Sequence, residues 1–175
     1  MIVHPRVLYA LVLSFISMSG CSAGAPSGVD FGSAQLVYLN FADGTEGVTL
    51  GNDDDAARNV SRLCEIGAFP RWNGAEGCGD RDACREEIRG RVAAYYADYA
   101  IVFTTDRPAS DVPYTMVIVA PPNAECSFGK RGVAYADCEN ANKANVAFVS
   151  DCDEDVESCA VLIAMRLGIR SGSCM

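Results

Sequence analysis

The chain has 175 residues, half of them apolar, which is enough for one domain with its own hydrophobic core. It carries 14 basic and 23 acidic residues, a formal net charge of −9. This balance argues against binding to nucleic acid or to anionic lipid, since both depend on clustered Lys and Arg side chains.

The first twenty residues have the anatomy of an export signal. Residues 1–6 contain one Arg and the only histidine of the chain, His4. An apolar run over residues 7–18 follows, too short to cross a membrane and of the length found in signal peptides. We predict a signal peptide over residues 1–20, and its removal leaves a mature chain without histidine.

The run ends in Met18-Ser19-Gly20-Cys21, which resembles a bacterial lipobox. This resemblance implies that Cys21 is lipidated and becomes the mature N-terminus. The protein would then be attached to the outer membrane through that lipid, facing the periplasm or the cell surface. The alternative is a secreted protein, with a plain signal cleaved near Ala23 or Ala25.

Nine cysteines are present, and an even number remains if Cys21 carries lipid. An even number in an exported chain indicates a disulfide framework. A metal site is the weaker alternative, because no Cys-x-x-Cys and no mature histidine could complete it. The eight candidates are Cys64, Cys78, Cys84, Cys126, Cys138, Cys152, Cys159 and Cys174.

Sequence spacing favours three local pairs, although eight cysteines allow many connectivities. These local pairs are Cys78–Cys84, Cys126–Cys138 and Cys152–Cys159. They would leave Cys64–Cys174 as a long-range link between the ends of the domain.

Residues 21–34 are small and contain Gly and Pro, which predicts a flexible tether. A β-branched and aromatic run over 35–41 predicts the first strand, and residues 48–50 are expected to return as its hairpin partner. The three aspartates at 53–55 are interpreted as the start of a helix over 56–63 rather than as a metal site.

Asp80 or Asp82 begins a second predicted helix that runs to about Asp98. Its apolar side chains recur at helical spacing and are expected to form one buried face: Ile88, Val92, Tyr95 and Tyr99. The charged residues on the other side indicate a solvated surface.

Strands are then predicted over 100–105, 114–120, 132–135 and 145–150. Asp153 or Asp155 begins the last helix. This order of elements indicates an α+β or mixed α/β domain.

The usual catalytic motifs are missing. The sequence has no Gly-x-Ser-x-Gly and no phosphate-binding glycine loop, and a mature chain that has lost His4 cannot form a Ser/His or Cys/His pair. Asp151-x-Asp153-x-Asp155 opens like an EF-hand loop but has Val156 in place of the required glycine. Helix capping explains these aspartates better.

The segment 164–172, Ala-Met-Arg-Leu-Gly-Ile-Arg-Ser-Gly, resembles the active-site helix of zincin metallopeptidases, Ala-His-Glu-Leu-Gly-His-x-x-Gly. Four residues match the framework of that motif: Ala164, Leu167, Gly168 and Gly172. Met165 and Ile169 stand where the family has its zinc-binding histidines, and Arg166 stands where it has the general-base glutamate.

The resemblance extends over roughly 36–172 and implies a zincin-like N-terminal subdomain. Such a subdomain has a helix packed behind a mixed sheet, followed by the active-site helix. We therefore expect an α+β fold with two to three helices, stabilised by disulfides. It would form a single domain over 35–175 that lacks the C-terminal subdomain of the family.

Catalytic zinc needs imidazole ligands at i and i+4 on one helical face. Met165 offers a thioether that zinc seldom accepts, Ile169 has no donor atom, and Arg166 would repel a cation. The sequence predicts no cofactor and no peptidase activity, but a zincin-like pseudoenzyme with a binding or structural role. The alternatives are a secreted enzyme of non-zinc mechanism and a truncated relic of a metallopeptidase.

Overall fold

A computed structural model describes residues 34–122, 124, 126, 132–134 and 141–167. Two α-helices lie in this part of the chain: α1 (Arg81–Tyr95) and α2 (Val156–Arg166). The strands are β1 (Gln35–Phe41), β2 (Thr49–Leu50), β3 (Val60–Ser61), β4 (Ile101–Thr104), β5 (Thr115–Val119), β6 (Gly132–Val133) and β7 (Val146–Val149).

Five of these strands form one mixed sheet in the order β4-β1-β5-β7-β6. The first four are parallel, with Gln35 of β1 opposite Ile101 of β4 and Val37 of β1 opposite Thr115 of β5. The edge strand β6 runs antiparallel to β7. The predicted α+β class, with a mixed sheet and helices, is confirmed at this level.

The sheet is buried on both faces, as is usual for parallel strands. Alternate residues of β1, β5 and β7 point to opposite sides, so each strand contributes to two hydrophobic clusters. The cluster shared with α1 and α2 includes Val37, Leu39, Phe41, Val117, Val119, Ala147 and Val149. The cluster on the other face includes Tyr38, Met116, Ile118, Val146 and Phe148, and Ala56 and Phe69 pack against them.

Both helices begin in the same way. The side chain of Asp80 accepts hydrogen bonds from the N–H groups of Asp82 and Ala83, and that of Asp155 accepts one from Ser158. An N-cap aspartate satisfies backbone donors that have no partner within the helix. Of the two starts considered for each helix, Asp80 and Asp155 are therefore the observed ones.

Each helix also carries a disulfide four residues after its N-cap. Cys84 of α1 is bonded to Cys78, and Cys159 of α2 is bonded to Cys152. Both bonds join the first turn of a helix to the loop before it, and they are two of the local pairs that spacing favoured.

The third disulfide corrects the predicted connectivity. Cys64 is bonded to Cys126, 62 residues away in sequence, with 5.1 Å between their Cα atoms. The predicted pairs Cys126–Cys138 and Cys64–Cys174 are therefore wrong. Cys64 belongs to the segment that covers the sheet face opposite the helices, and the fold places this segment next to the chain that follows β5. Spacing along the sequence could not show this proximity. Cys21, Cys138 and Cys174 lie outside the described residues.

The region between β1 and α1 also differs from its prediction. Residues 48–50 do not form a hairpin with β1, because β2 pairs in parallel with β3. The predicted helix over 56–63 is only a 3-10 turn, Ala56–Arg58. Asn59 follows it with a φ of 56°, a left-handed conformation that ends the turn, so that Val60 comes to lie beside Thr49.

Candidate functional site

The helix α2 places Met165 and Arg166 on its outer side. Its buried face consists of Cys159, Ala160 and Ile163, which pack into the core cluster shared with α1. Met165 is 73% exposed. Ile169 lies outside the described residues. Leu167 is also buried, so α2 packs into the core through its inner face and points Met165 outward.

Arg166 lies against the antiparallel edge strand. A Cβ atom built on Gly132 of β6 would come within 2.8 Å of the Nε of Arg166 and 3.4 Å of its Cζ. The absence of a side chain at Gly132 therefore lets the guanidinium pack beside β6. This arrangement sets a permanent positive charge at the junction of α2 with β6, where a second cation would be repelled.

The end of α2 is held by the aromatic side chain of the residue that follows α1. The hydroxyl of Tyr96 donates to the carbonyl of Ala164 at 2.7 Å, and its ring packs on Phe103 at 5.7 Å between centroids. Burial, and then the neighbouring Tyr99, raise the pKa of Tyr96, so this hydroxyl remains a donor at neutral pH. Tyr96 is thus a support for the helix.

The expected buried face of α1 is only partly correct. Ile88 and Val92 are fully buried, but Tyr95 is 47% exposed and Tyr99 is 39% exposed. The α-helix ends at Tyr95, so Tyr99 no longer follows the helical period. The hydroxyl of Tyr95 instead makes a short hydrogen bond to the carboxylate of Glu157 on α2.

An exposed polar network joins the two helices around Glu157. Arg91 of α1 donates to Glu157 at 2.6 Å and to Glu87 at 2.9 Å. The hydrogen bond from Tyr95, followed by that from Arg91, holds the pKa of Glu157 below its usual value. The same contact with Glu157 raises the pKa of Tyr95. The network connects α1 to α2.

A second polar cluster surrounds Arg107, which follows β4. Its guanidinium donates to both carboxylate oxygens of Glu46 at 2.9 and 2.8 Å, to the carbonyl of Ala56 at 3.1 Å and to the hydroxyl of Tyr114 at 3.3 Å. It also makes a short hydrogen bond to the side chain of Asn59. All five donors are therefore used within the protein. Sequence reasoning missed this residue, and its neighbours come from segments too far apart to be related by spacing.

The chemistry of Arg107 is that of a structural link. Burial tends to lower its pKa, but the hydrogen bond with Tyr114 and the charge of Glu46 outweigh burial and raise the pKa above its usual value. Burial and Glu46 also raise the pKa of the nearby Tyr38. Because every guanidinium donor already has an acceptor, Arg107 has none left for a ligand.

The aspartates at 53–55 support local structure. Asp55 caps the 3-10 turn through the N–H of Arg58 at 3.2 Å. Asp54 is only 5% exposed and accepts a hydrogen bond from the N–H of Arg62 at 2.8 Å, while Asp53 forms an ion pair with the same arginine at 3.0 Å. The expected capping role holds for Asp55, although the element that it caps is a 3-10 turn.

Across the described ranges, no group of three or more His, Cys, Asp or Glu side chains is arranged to hold a metal ion. In the same ranges, no helix is long and apolar enough to cross a membrane. No protein family, curated protein or solved structure matches this chain.

Proposed function

We propose that this protein is an exported, lipid-anchored, zincin-like domain that has no catalytic activity and acts through binding or structure. The observation that carries the proposal is the contrast between the buried face of α2 and its exposed residues. Its core-facing side is intact through Ala160, Ile163 and Leu167, while the positions that would bear zinc chemistry hold Met165 and Arg166.

The disulfides support export. Three disulfides join the six cysteines that the structure describes. Such bonds persist in oxidising compartments and are rare in the cytosol, so they indicate an extracytoplasmic protein. The lipid anchor rests on the sequence around Cys21, which resembles a lipobox.

The sheet and helices support the zincin-like interpretation. A mixed sheet with α1 packed behind it, followed by α2, is the arrangement expected of a zincin-like N-terminal subdomain. The motif positions on α2 do not fit zinc. A thioether at Met165 is a poor zinc ligand, and the guanidinium of Arg166 beside Gly132 is a cation. We therefore assign no reaction step to a metal in this protein.

Metal analysis combined with a cleavage assay tests the loss of catalysis. Mature protein, purified with its disulfides intact, is measured for bound zinc and incubated with denatured protein and peptide substrates, with and without a chelator. We expect neither stoichiometric zinc nor chelator-sensitive cleavage. Stoichiometric zinc together with cleavage would contradict the proposal.

Membrane fractionation tests the anchor. The full chain is expressed in a Gram-negative host beside the Cys21→Ser variant, with a labelled fatty acid in the medium. We expect label and outer-membrane retention for the wild type, and loss of both in the variant. Export of the wild type without incorporation of the labelled fatty acid would instead support a plain secretory signal.

A further inference from the structure

We propose that the Cys78–Cys84 disulfide is a site of thiol–disulfide exchange that takes a dithiol reductant, whereas Cys64–Cys126 and Cys152–Cys159 are structural. The inference does not depend on the proposed loss of zinc chemistry. It rests on the access of an attacking thiolate to one sulfur and on the groups that receive the charge at the other.

Access distinguishes Cys78 from the other cysteines of the described ranges. Cys78 is only partly buried and lies between the exposed residues Gly77 and Gly79. The remaining five are at most 2% exposed: Cys64, Cys84, Cys126, Cys152 and Cys159. Exchange requires a thiolate to reach a sulfur atom, and among these three bonds Cys78 is the one cysteine whose residue is not buried, so we place the attack there.

The other sulfur of this bond is prepared to leave as a thiolate. The backbone N–H of Ala75 points at the Sγ of Cys84, with 3.4 Å between nitrogen and sulfur. Cys84 also lies in the first turn of α1, where the helix dipole favours negative charge. Attack on Cys78 therefore expels a sulfur whose developing charge meets a donor already in position.

The reaction balances with a dithiol. One thiolate of the reductant bonds to the Sγ of Cys78, the Cys78–Cys84 bond breaks, and its electron pair stays on Cys84. The second thiolate of the reductant then attacks the reductant sulfur that is bonded to Cys78, which closes the reductant's disulfide and releases Cys78 as a thiolate. The reductant ends as a disulfide, and its two protons end on Cys78 and Cys84.

The loop around Cys78 is held by contacts that do not involve this bond. The indole N–H of Trp72 donates to the carbonyl of Cys152 at 2.7 Å, and the backbone N–H of Glu76 donates to the carbonyl of Asp153 at 2.8 Å. Arg81 donates to the carbonyls of Trp72 and Phe41, both at 2.8 Å. Opening of Cys78–Cys84 therefore leaves both ends of the loop attached, so the bond can open and close in the folded protein.

A graded reduction tests the order of reactivity. Native oxidised protein is treated with increasing dithiothreitol, quenched in acid and alkylated, and the alkylated cysteines are identified by mass spectrometry of peptides. Cys78 and Cys84 should be reduced about tenfold faster than the other two pairs, with far-ultraviolet circular dichroism unchanged. Equal rates, earlier reduction of a buried pair, or loss of the circular dichroism signal with the first pair would overturn the proposal.

A monothiol tests the direction of attack. Brief treatment with cysteamine, followed by an acid quench, traps the mixed disulfide, and its position is read from peptide masses. We expect the adduct on Cys78, with Cys84 as the free thiol. An adduct on Cys84 would overturn the assignment. The Cys78→Ser and Cys84→Ser variants check the same point without reduction. In the native protein, the buried free Cys84 of the first variant should resist alkylation, whereas the partly exposed free Cys78 of the second should be labelled. Labelling of Cys84 as fast as that of Cys78 would overturn the proposal.

Discussion

Single arginine side chains hold separate segments of this protein together. Arg107 connects the loop after β4 to Glu46 and to the 3-10 turn at Ala56, and Arg81 connects the start of α1 to the end of β1. A guanidinium suits this role because its five donors are arranged in a rigid, planar fork. These links join residues that are far apart in sequence, so losing one should lower the free energy of unfolding and change the local geometry little.

Arg107→Lys should lower the free energy of unfolding by about 2 kcal/mol, because lysine keeps the charge but cannot serve acceptors on several sides. Urea unfolding followed by the fluorescence of Trp72, the only tryptophan, measures the change. Arg58→Lys is the matched control, since Arg58 has an 82% exposed side chain. Its effect should stay within about 0.5 kcal/mol, and equal losses in both variants would contradict the assigned role.

Glu157 should contribute to stability in a pH-dependent way. Its pKa is lowered in the folded state by Tyr95 and Arg91, so its contribution is present above the unfolded-state pKa. That contribution is lost as the pH falls through the lower, folded-state pKa. The Tm difference between wild type and Glu157→Gln should therefore be largest near neutral pH and disappear in acid. Glu154→Gln removes the same charge nearby and corrects for net charge; a difference that persists in acid would count against the network.

At the scale of elements, the two helices begin with the same sequence motif. Asp80 and Cys84, like Asp155 and Cys159, form Asp-x-x-x-Cys, in which the aspartate caps the helix and the cysteine ties the first turn to the preceding loop. Each helix start is thus determined by a hydrogen bond and a covalent bond four residues apart. Because capping is local, the sequence narrowed each start to two aspartates, and the structure selects Asp80 and Asp155.

Asp80→Ala and Asp155→Ala should each lower the free energy of unfolding by about 1 kcal/mol, since each removes the side-chain acceptor of first-turn N–H groups. Thermal unfolding followed by circular dichroism at 222 nm, with the disulfides intact, is a suitable measurement. Asp98→Ala, on the exposed chain after α1, provides the control and should be nearly neutral. Losses no greater than that of the control would remove the capping explanation.

The segment between β1 and α1 shows where local patterns fail. Its apolar spacing favours a helix over 56–63, but the left-handed Asn59 and the pairing of β2 with β3 replace it. Asn59 and the carbonyl of Ala56 both accept hydrogen bonds from Arg107, which lies about fifty residues later in the chain. A contact of that range outweighs weak helical propensity and is invisible to periodicity.

At the scale of the molecule, the Cys64–Cys126 disulfide fastens the second face of the sheet. It joins the covering segment to the chain after β5, across 62 residues. Because a long loop is closed, the Cys64→Ser, Cys126→Ser double variant should lose about 2–4 kcal/mol of unfolding free energy. The Cys78–Cys84 bond closes a loop of only six residues, so removing it by the matching double substitution should cost less.

Peptide mapping under non-reducing conditions checks the same framework directly. The mature protein should yield linked peptides for Cys64–Cys126, Cys78–Cys84 and Cys152–Cys159. A peptide that links Cys126 to Cys138, as spacing had favoured, would contradict the fold in this region. Digestion at acidic pH prevents exchange and so keeps the test valid.

The sequence by itself determined what depends on neighbours: the apolar, β-branched runs that form the strands, the short acidic segments in which α1 and α2 begin, and the residues Met165 and Arg166 whose chemistry does not suit zinc. Only the tertiary structure decided the partner of Cys64, the all-parallel central strands, the five acceptors of Arg107, and the placing of Arg166 beside Gly132. The physical reason is range. Capping and periodicity act within a few residues, whereas these contacts form only when the sheet brings distant segments together.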